Sequence, residues 1–504
     1  MGLSDITING NLATVTGSNV TMPVQMRRGI NTFDMRGVDG SGHTHFLRQS
    51  AIAGDFADPN DPIDDALVLR LNRGGLDAAM DAAAALLEDT AINDAIAGLN
   101  PVYEDSYGLL GWDAVEVAAD IGSLSFDPAE LDATPATDAL NLVVALPDLS
   151  VWVPVTGAVL GWDFQVDAYL WAESAEVSGT LTLGVDGSGH LVAVLTSASV
   201  SLVGFGYDTS LLPGEIETFI LVDSIRGVLE TMILDQVQQT LPGLLENQLQ
   251  SLDLSFQTEV LDTAITVEAS FSSAHIDEDG VQLGTQLDVS VPNAGQKRYA
   301  GYLSSTGDAP THERHADVGL SLSDDLLNRV LFEAWRGDML DIELSSETGD
   351  LDPILLTQLG ANNAAALVVR ADLPPVIVDR EGHLQAELGE LNLTLLTPGG
   401  DYGARLDLSL TVRVDLEITV EDGEIVLALG EPDIGIMVRD SDWNVSNETI
   451  TNLLEDQLPI QTILMLLGDF RFPLPTVGGL SIGSASIERD LNTVHTRVAV
   501  DLSR

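Results

Sequence analysis

Arg405-Leu406-Asp407-Leu408-Ser409-Leu410-Thr411-Val412-Arg413-Val414-Asp415-Leu416-Glu417-Ile418-Thr419-Val420 sets eight aliphatic residues at every second position. Successive side chains of a β-strand point to opposite faces, so this stretch reads as a long strand with one apolar face and one face of Asp, Ser, Thr, Arg and Glu. Strict alternation over such a length belongs to an antiparallel sheet with one side turned to a core.

The same pattern recurs on either side. Leu124 to Val203 alternates or runs wholly apolar, as in Val177-Ser178-Gly179-Thr180-Leu181-Thr182-Leu183-Gly184-Val185 and Leu191-Val192-Ala193-Val194-Leu195, and Asp186-Gly187-Ser188-Gly189 between them reads as a hairpin turn. Four stretches break into helical spacing. Gly75 to Ile96 is rich in alanine, with Leu76, Met80, Ala83, Leu87 and Ala91 on one face. Glu215 to Leu249 carries Ile225, Leu229, Met232, Ile233 and Val237 as a stripe broken near Pro242. Leu322 to Trp335 opens on a Ser or Asp cap, and Ser446 to Leu467 is amphipathic. Further strands are expected over 254–291 and 480–502. The order helix, strands, helix is met twice. The expected fold class is therefore α+β, mostly antiparallel β, in two lobes at 66–253 and 254–504.

Ahead of these lobes, residues 1–52 read as short strands between Asn-Gly, Arg-Gly and Asp-Gly turns. The pattern resembles part of an immunoglobulin-like module, which is expected to continue upstream. Asp58, Asp61, Asp64 and Asp65 with two prolines make 53–65 an acidic linker by composition. Solvated charge is the better reading there than a calcium site.

Charge excludes one class of partner outright. With 78 acidic and 21 basic residues the net charge is −57, Lys297 is the single lysine, and the basic patches that nucleic-acid binding requires do not exist. No cysteine is present, so disulfides, thiol catalysis and cysteine-held metals are out. No apolar run reaches the ~18–20 residues of a membrane-spanning helix. The first residues, Met1-Gly2-Leu3-Ser4-Asp5, lack the basic and apolar regions of a signal peptide.

Three stretches resemble the family of bactericidal/permeability-increasing, lipopolysaccharide-binding and phospholipid-transfer proteins, in the tubular lipid-binding superfamily. They are Gly75-Leu76-Asp77-Ala78-Ala79; His315-Ala316-Asp317-Val318-Gly319-Leu320-Ser321-Leu322-Ser323 through Met339-Leu340-Asp341-Ile342-Glu343-Leu344; and Phe472-Pro473-Leu474-Pro475, which follows the last helix and precedes two strands. The resemblance spans about residues 66–504. It implies a boomerang of two lobes, each a curved sheet wrapped on a long helix and joined by a central sheet, with one lipid pocket per lobe. It also implies a secreted, periplasmic or cell-surface location. The family's disulfide has no counterpart here, and the acidic surface argues against carrying over endotoxin binding.

On that reading the protein is a non-enzymatic carrier of phospholipid or another acyl lipid, with a membrane surface as a further partner, no cofactor and no identified protein partner. The pocket linings implied are Leu76, Met80, Ala83, Leu87, Ile225, Leu229, Met232 and Ile233 in the first lobe. Those in the second are Leu327, Val330, Leu331, Leu454, Leu458, Ile463 and Leu467. For any single one of them plain core packing is the better reading, because an apolar stripe looks the same whether a lipid or a side chain fills the space. The rival is a structural or adhesive surface protein with a dry interior. Enzyme signatures are poor: His312-Glu313-Arg314-His315 is one residue short of the zinc-protease spacing, and the Gly-Ser-Gly-His sequences at 40–43 and 187–190 read as turns.

Overall fold

In the computed structural model the alternating stretch 405–420 belongs to one strand, Arg405–Glu421, with Leu406, Leu408, Leu410, Val412, Val414 and Leu416 buried in a row. The structure describes residues 4–503 except 88–92, 94–99, 209–217, 347–365, 398–404, 442–470, 475–480 and gaps of one to four residues. Within them the chain is mostly antiparallel β with three helices: α1 (Arg73–Ala84), α2 (Thr218–Gln250) and α3 (Asp324–Arg336).

Two large curled sheets flank a third. The first is built on a hairpin of Ala139–Val159 and Trp162–Val185, strands of 21 and 24 residues, with Leu191–Val203 at one edge and Tyr103–Leu109 at the other. The second is built on His383–Leu396 and Arg405–Glu421. Between them runs a seven-stranded sheet in which Ile63–Asn72 lies next to Gly280–Ser290 on one side and Val318–Ser323 on the other, and His495–Ser503 follows. Ala66 to Asn72 is buried at every residue, which explains why this strand is wholly apolar at Leu67, Val68, Leu69 and Leu71 rather than alternating.

The curl has a local cause. Along Ala139–Val159 the buried residues are Leu140, Leu142, Val144 and Leu146, then Leu149, Val151, Val153 and Val155. The parity changes at Asp148, whose φ is +48°. Opposite it the partner strand changes parity too: Ala168, Leu170 and Ala172 are buried before Glu173, and Ala175, Val177 and Leu181 after it. Each strand carries one additional residue at the same level, so the same face stays inward while the ribbon bends. In the second sheet an extra residue sits in one strand only, at Glu390 (φ +49°), where the pairing steps from Leu388↔Val412 to Leu391↔Leu410.

Two of the four expected helices, α2 and α3, follow the sequence closely. Ser323 caps α3 by accepting a hydrogen bond from Asp325 N at 3.1 Å, and α2 runs on through Pro242. The described part of α1 ends at Ala84, short of the expected Ile96, and most of 88–99 lies outside the described residues. So does the last expected helix, 446–467. Both Asp-Gly-Ser-Gly-His sequences are hairpin turns of one geometry. Asp39 Oδ1 accepts from the main chain of Ser41 and His43, and Asp186 Oδ1 from that of Ser188 and His190.

Residues 53–65 correct the expectation of a plain linker. Asp55–Ala57 pairs with Tyr302–Ser304, and Ile63 begins the buried central strand. Of the acids that mark the segment, Asp58 and Asp61 belong to a turn in which Asp58 accepts from the main chain and side chain of Asn60, whereas Asp64 and Asp65 are part of the strand, Asp65 partly buried. Residues 4–53 form a four-stranded sheet and a separate hairpin of Thr14–Thr16 with Asn19–Thr21; the Gly29–Val38 and Thr44–Ala53 strands of the sheet rest on the second curled sheet. Ile30 and Ile52 share a small separate core with Leu303, Leu373, Val376 and Val378. One carboxylate ties this contact together: Glu387, 1% exposed, accepts from Ile30 N and from the Arg380 guanidinium, each at 2.6 Å. Gly29, at φ +91°, passes so close that a Cβ there would lie 2.6 Å from Glu387.

Candidate functional site

The strongest candidate site is the concave side of the first curled sheet. Its wall is aliphatic along its length: Leu140, Leu142, Val144, Leu146, Leu149, Val151, Val153 and Val155 from one strand face Ala168, Leu170, Ala172, Ala175 and Val177 from the next. No charge interrupts this row, and Phe164 continues it at the hairpin end. Alternation along strands produces such a surface without any residue being special.

Helix α2 closes the open side. Its buried stripe, Val222, Ile225, Leu229, Met232, Ile233, Val237, Leu241, Leu245 and Leu249, recurs at three- and four-residue spacing. The helix packs against both edge strands, Leu191–Val203 and Tyr103–Leu109, and against α1. Its seam with Leu191–Val203 is polar. Glu246 Oε1 accepts from Ala193 N at 2.7 Å and Gln250 Nε2 donates to Leu191 O at 3.3 Å. Two side chains thus satisfy a sheet edge that would otherwise lie open.

The sequence-predicted lining residues fall as follows. Ile225, Leu229, Met232 and Ile233 lie on the buried stripe of α2. Leu76, Met80 and Ala83 are buried on α1, which packs against α2 and the strand Glu130–Ala136; Leu87 is half-buried just beyond the described helix. All of these belong to one continuous apolar core. Leu327, Val330 and Leu331 sit on α3, which packs against the central sheet, Tyr302–Ser304 and Val376–Arg380 rather than against the long strands of the second curl. Leu454, Leu458, Ile463 and Leu467 lie outside the described residues. The sheet side of the site, and Glu246 and Gln250 at the seam, were not singled out in the sequence. A shift in alternation at Asp148 and Glu173 was the available signal for the wall.

Around α3 the chemistry is different. Asp324, 2% exposed, receives both ends of the Arg489 guanidinium at 2.7 and 2.5 Å, and Asp379 takes the third nitrogen at 3.2 Å. Burial pushes the Asp324 carboxyl up to about 6 against the pull of Arg489. Arg329 and Glu333 are paired and buried on the same helix; desolvation lowers the first and raises the second. Asn328 bonds both the N–H and the carbonyl of Ile377. This is a pinned junction rather than a cavity.

Of the other expected chemistry, His312, Glu313 and Arg314 lie outside the described residues, and among the described residues no group of three or more His, Asp or Glu is placed to hold a metal. Phe472 pairs opposite Ile425 and meets the Phe256 ring edge-on at 5.3 Å, linking the second curled sheet to the central one. Among the described residues no helix is long and apolar enough to cross a membrane.

No family model matches the chain, and no curated protein matches it. Among solved structures it is similar to lipopolysaccharide binding protein, at 13% identity and a TM-score of 0.47, over 89% of this chain and 99% of that one. It is also similar to P47 from Clostridium botulinum A2, at 10% identity and a TM-score of 0.25, over 87% and 98% of the two chains. P47 of Clostridium botulinum E1 stands at 10% and 0.26, over 88% and 100%.

Proposed function

We propose that this protein binds acyl lipids without catalysis, holding the hydrocarbon between α2 and the aliphatic wall of the first curled sheet. The observation that supports this most is the seam: an apolar interior as long as two strands of 21 and 24 residues is shut along one edge by a helix and two side-chain hydrogen bonds. Each bond contributes on the order of 1 kcal/mol net. Removing a sixteen-carbon chain from water is worth about 12 kcal/mol at ~0.8 kcal/mol per methylene. A lipid that parts the seam and takes over the contacts of α2 therefore gains far more than the two bonds cost.

On this reading the two curled sheets are the lobes of a boomerang, and residues 1–52 are an immunoglobulin-like appendage. The second sheet has its own pocket on the helix expected at 446–467. The ligand is a phospholipid or similar amphiphile met outside the cytoplasm, at a membrane surface or in solution. No cofactor takes part.

Extraction of the purified protein with organic solvent, followed by mass spectrometry, tests this directly: acyl lipid in stoichiometric amount is the expected result. Leu229→Trp and Met232→Trp should remove it from the first lobe, and Ile463→Trp from the second; Leu331→Trp, which faces the α3 junction, should cost stability without loss of lipid. The rival, a dry structural or adhesive protein, draws on the close packing of the α2 stripe into the core. Lipid-free wild type with uniformly destabilised variants would establish that rival.

A further inference from the structure

The first 52 residues carry four arginines and three aspartates, so the whole negative excess of the chain lies beyond them. Within this region is a groove of about 680 Å³, walled by the N-terminal sheet, the run Met22–Arg27 and Arg413 from the second curled sheet. No carboxylate lines it. Arg27 and Arg413 line it, as do the amides of Asn9, Asn11, Gln25 and Asn31.

The arginines are held in place from behind. Arg27 reaches Glu387 at 3.4 Å, and its main-chain N–H and carbonyl are both bonded by the Asn31 side chain. Arg413 has one ion-pair partner among the described residues, the exposed Asp433 at 3.6 Å. Burial lowers the Arg27 guanidinium, with Arg380 and Arg413 adding to the effect and Glu387 opposing it. Positive charge is therefore in local excess here, in a chain where it is scarce.

The remaining wall points to the shape of the ligand. Met22 to Arg27 lies outside the strands and runs without a turn or bend, and the main-chain groups of residues 22–26, of which Pro23 has no N–H, have no partner among the described residues. Leu12 is 72% exposed and Val24 43%, both on the groove. An unpaired main chain, apolar side chains beside it and an arginine pair together match a polypeptide strand that adds to an exposed edge.

We propose that this groove binds an extended acidic peptide segment of a partner protein, paired along residues 22–26, with a carboxylate between Arg27 and Arg413. Main-chain pairing supplies the fit and the arginines choose the charge. The site is separate from the lipid-binding reading and does not depend on it.

Fluorescence anisotropy of a dye-labelled octapeptide of alternating valine and aspartate, added to the full chain, reads the site. Saturable binding is expected, with weakening of about tenfold in Arg413→Gln and a comparable loss in Val24→Pro, which removes a donor from the edge. Thermal melting should show both variants folded, and if Val24→Pro is not, Arg413→Gln still decides. The same peptide with lysine for aspartate should not bind. No binding of the acidic peptide, equal binding of the lysine peptide, or indifference to Arg413→Gln would each overturn the proposal. So would polygalacturonate displacing the peptide and binding folded Val24→Pro as well as wild type, because the groove would then read charge alone.

Discussion

Helices α2 and α3 are both buried, and they are buried in opposite ways. The contacts of α2 with its curled sheet are aliphatic, apart from Glu246 and Gln250 at the seam. On α3 eleven of thirteen residues are buried, among them Asp324, Asn328, Arg329 and Glu333, each hydrogen-bonded or ion-paired to a neighbour. Apolar contact is non-directional, so α2 can shift along or away from its wall at a cost that rises gradually. Buried polar groups tolerate no such shift, because each loses a partner that water cannot replace. The molecule thus places a yielding seam in one lobe and a rigid joint where central sheet, Tyr302–Ser304 and Val376–Arg380 meet.

The sharpest way to break this contrast is to strip one partner from the joint. Arg489→Leu leaves Asp324 buried and uncompensated, and should destabilise the fold by about 3–5 kcal/mol, read as the shift of a urea midpoint. A loss below ~1 kcal/mol would mean that the joint is as yielding as the seam.

A smaller effect of the same joint appears with pH. The Asp324 carboxyl, raised from 3.8 to about 6, favours the folded state while protonated. Its contribution is whole below 3.8 and is lost as pH rises through about 6. Wild type should therefore lose stability relative to Asp324→Asn as urea midpoints are compared from pH 4 to pH 7. A gap that stays constant would show that the carboxyl does not titrate in this range.

In the seam, Leu229→Trp separates the two characters. A closed core should lose about 1–3 kcal/mol to overpacking, whereas a helix free to move outward should lose less while bound lipid falls. The smallest expected effect is that of Glu246→Ala, about 0.5–1.5 kcal/mol, together with faster amide exchange at Ala193 by mass spectrometry. Unchanged exchange would mean that the edge is protected by something other than this carboxylate.

How much of this was legible in the sequence depended on which physics was local. The Ser323 cap, the Asp-Gly-Ser-Gly-His turns and the stripe of α2 were legible because each is decided by neighbours within a few positions. The alternation of 405–420 gave its strand directly. What was not legible is long-range. Glu387 binds Ile30 across 357 positions, and one buried carboxylate among 78 acids has no mark in the sequence. The acids around 58–65 read as linker because composition does not reveal that Asp55–Ala57 finds Tyr302–Ser304. Of the candidate lining, the positions on α1 and α2 lie on the core side of their helices, whereas Leu327, Val330 and Leu331 face the joint, since a stripe gives a buried side but not its neighbour.

The paired additional residues Asp148 and Glu173 have a consequence for how this lobe can change over evolutionary time. In-and-out alternation is a reading frame, and a single inserted or lost residue shifts every side chain beyond it to the wrong face. Here one frameshift in each strand of the hairpin sits opposite its counterpart, so that both strands return to register together. A length change in one strand of this hairpin thus needs either a matching change opposite it or a one-sided bulge of the kind at Glu390, and the bend can be moved or erased by such changes.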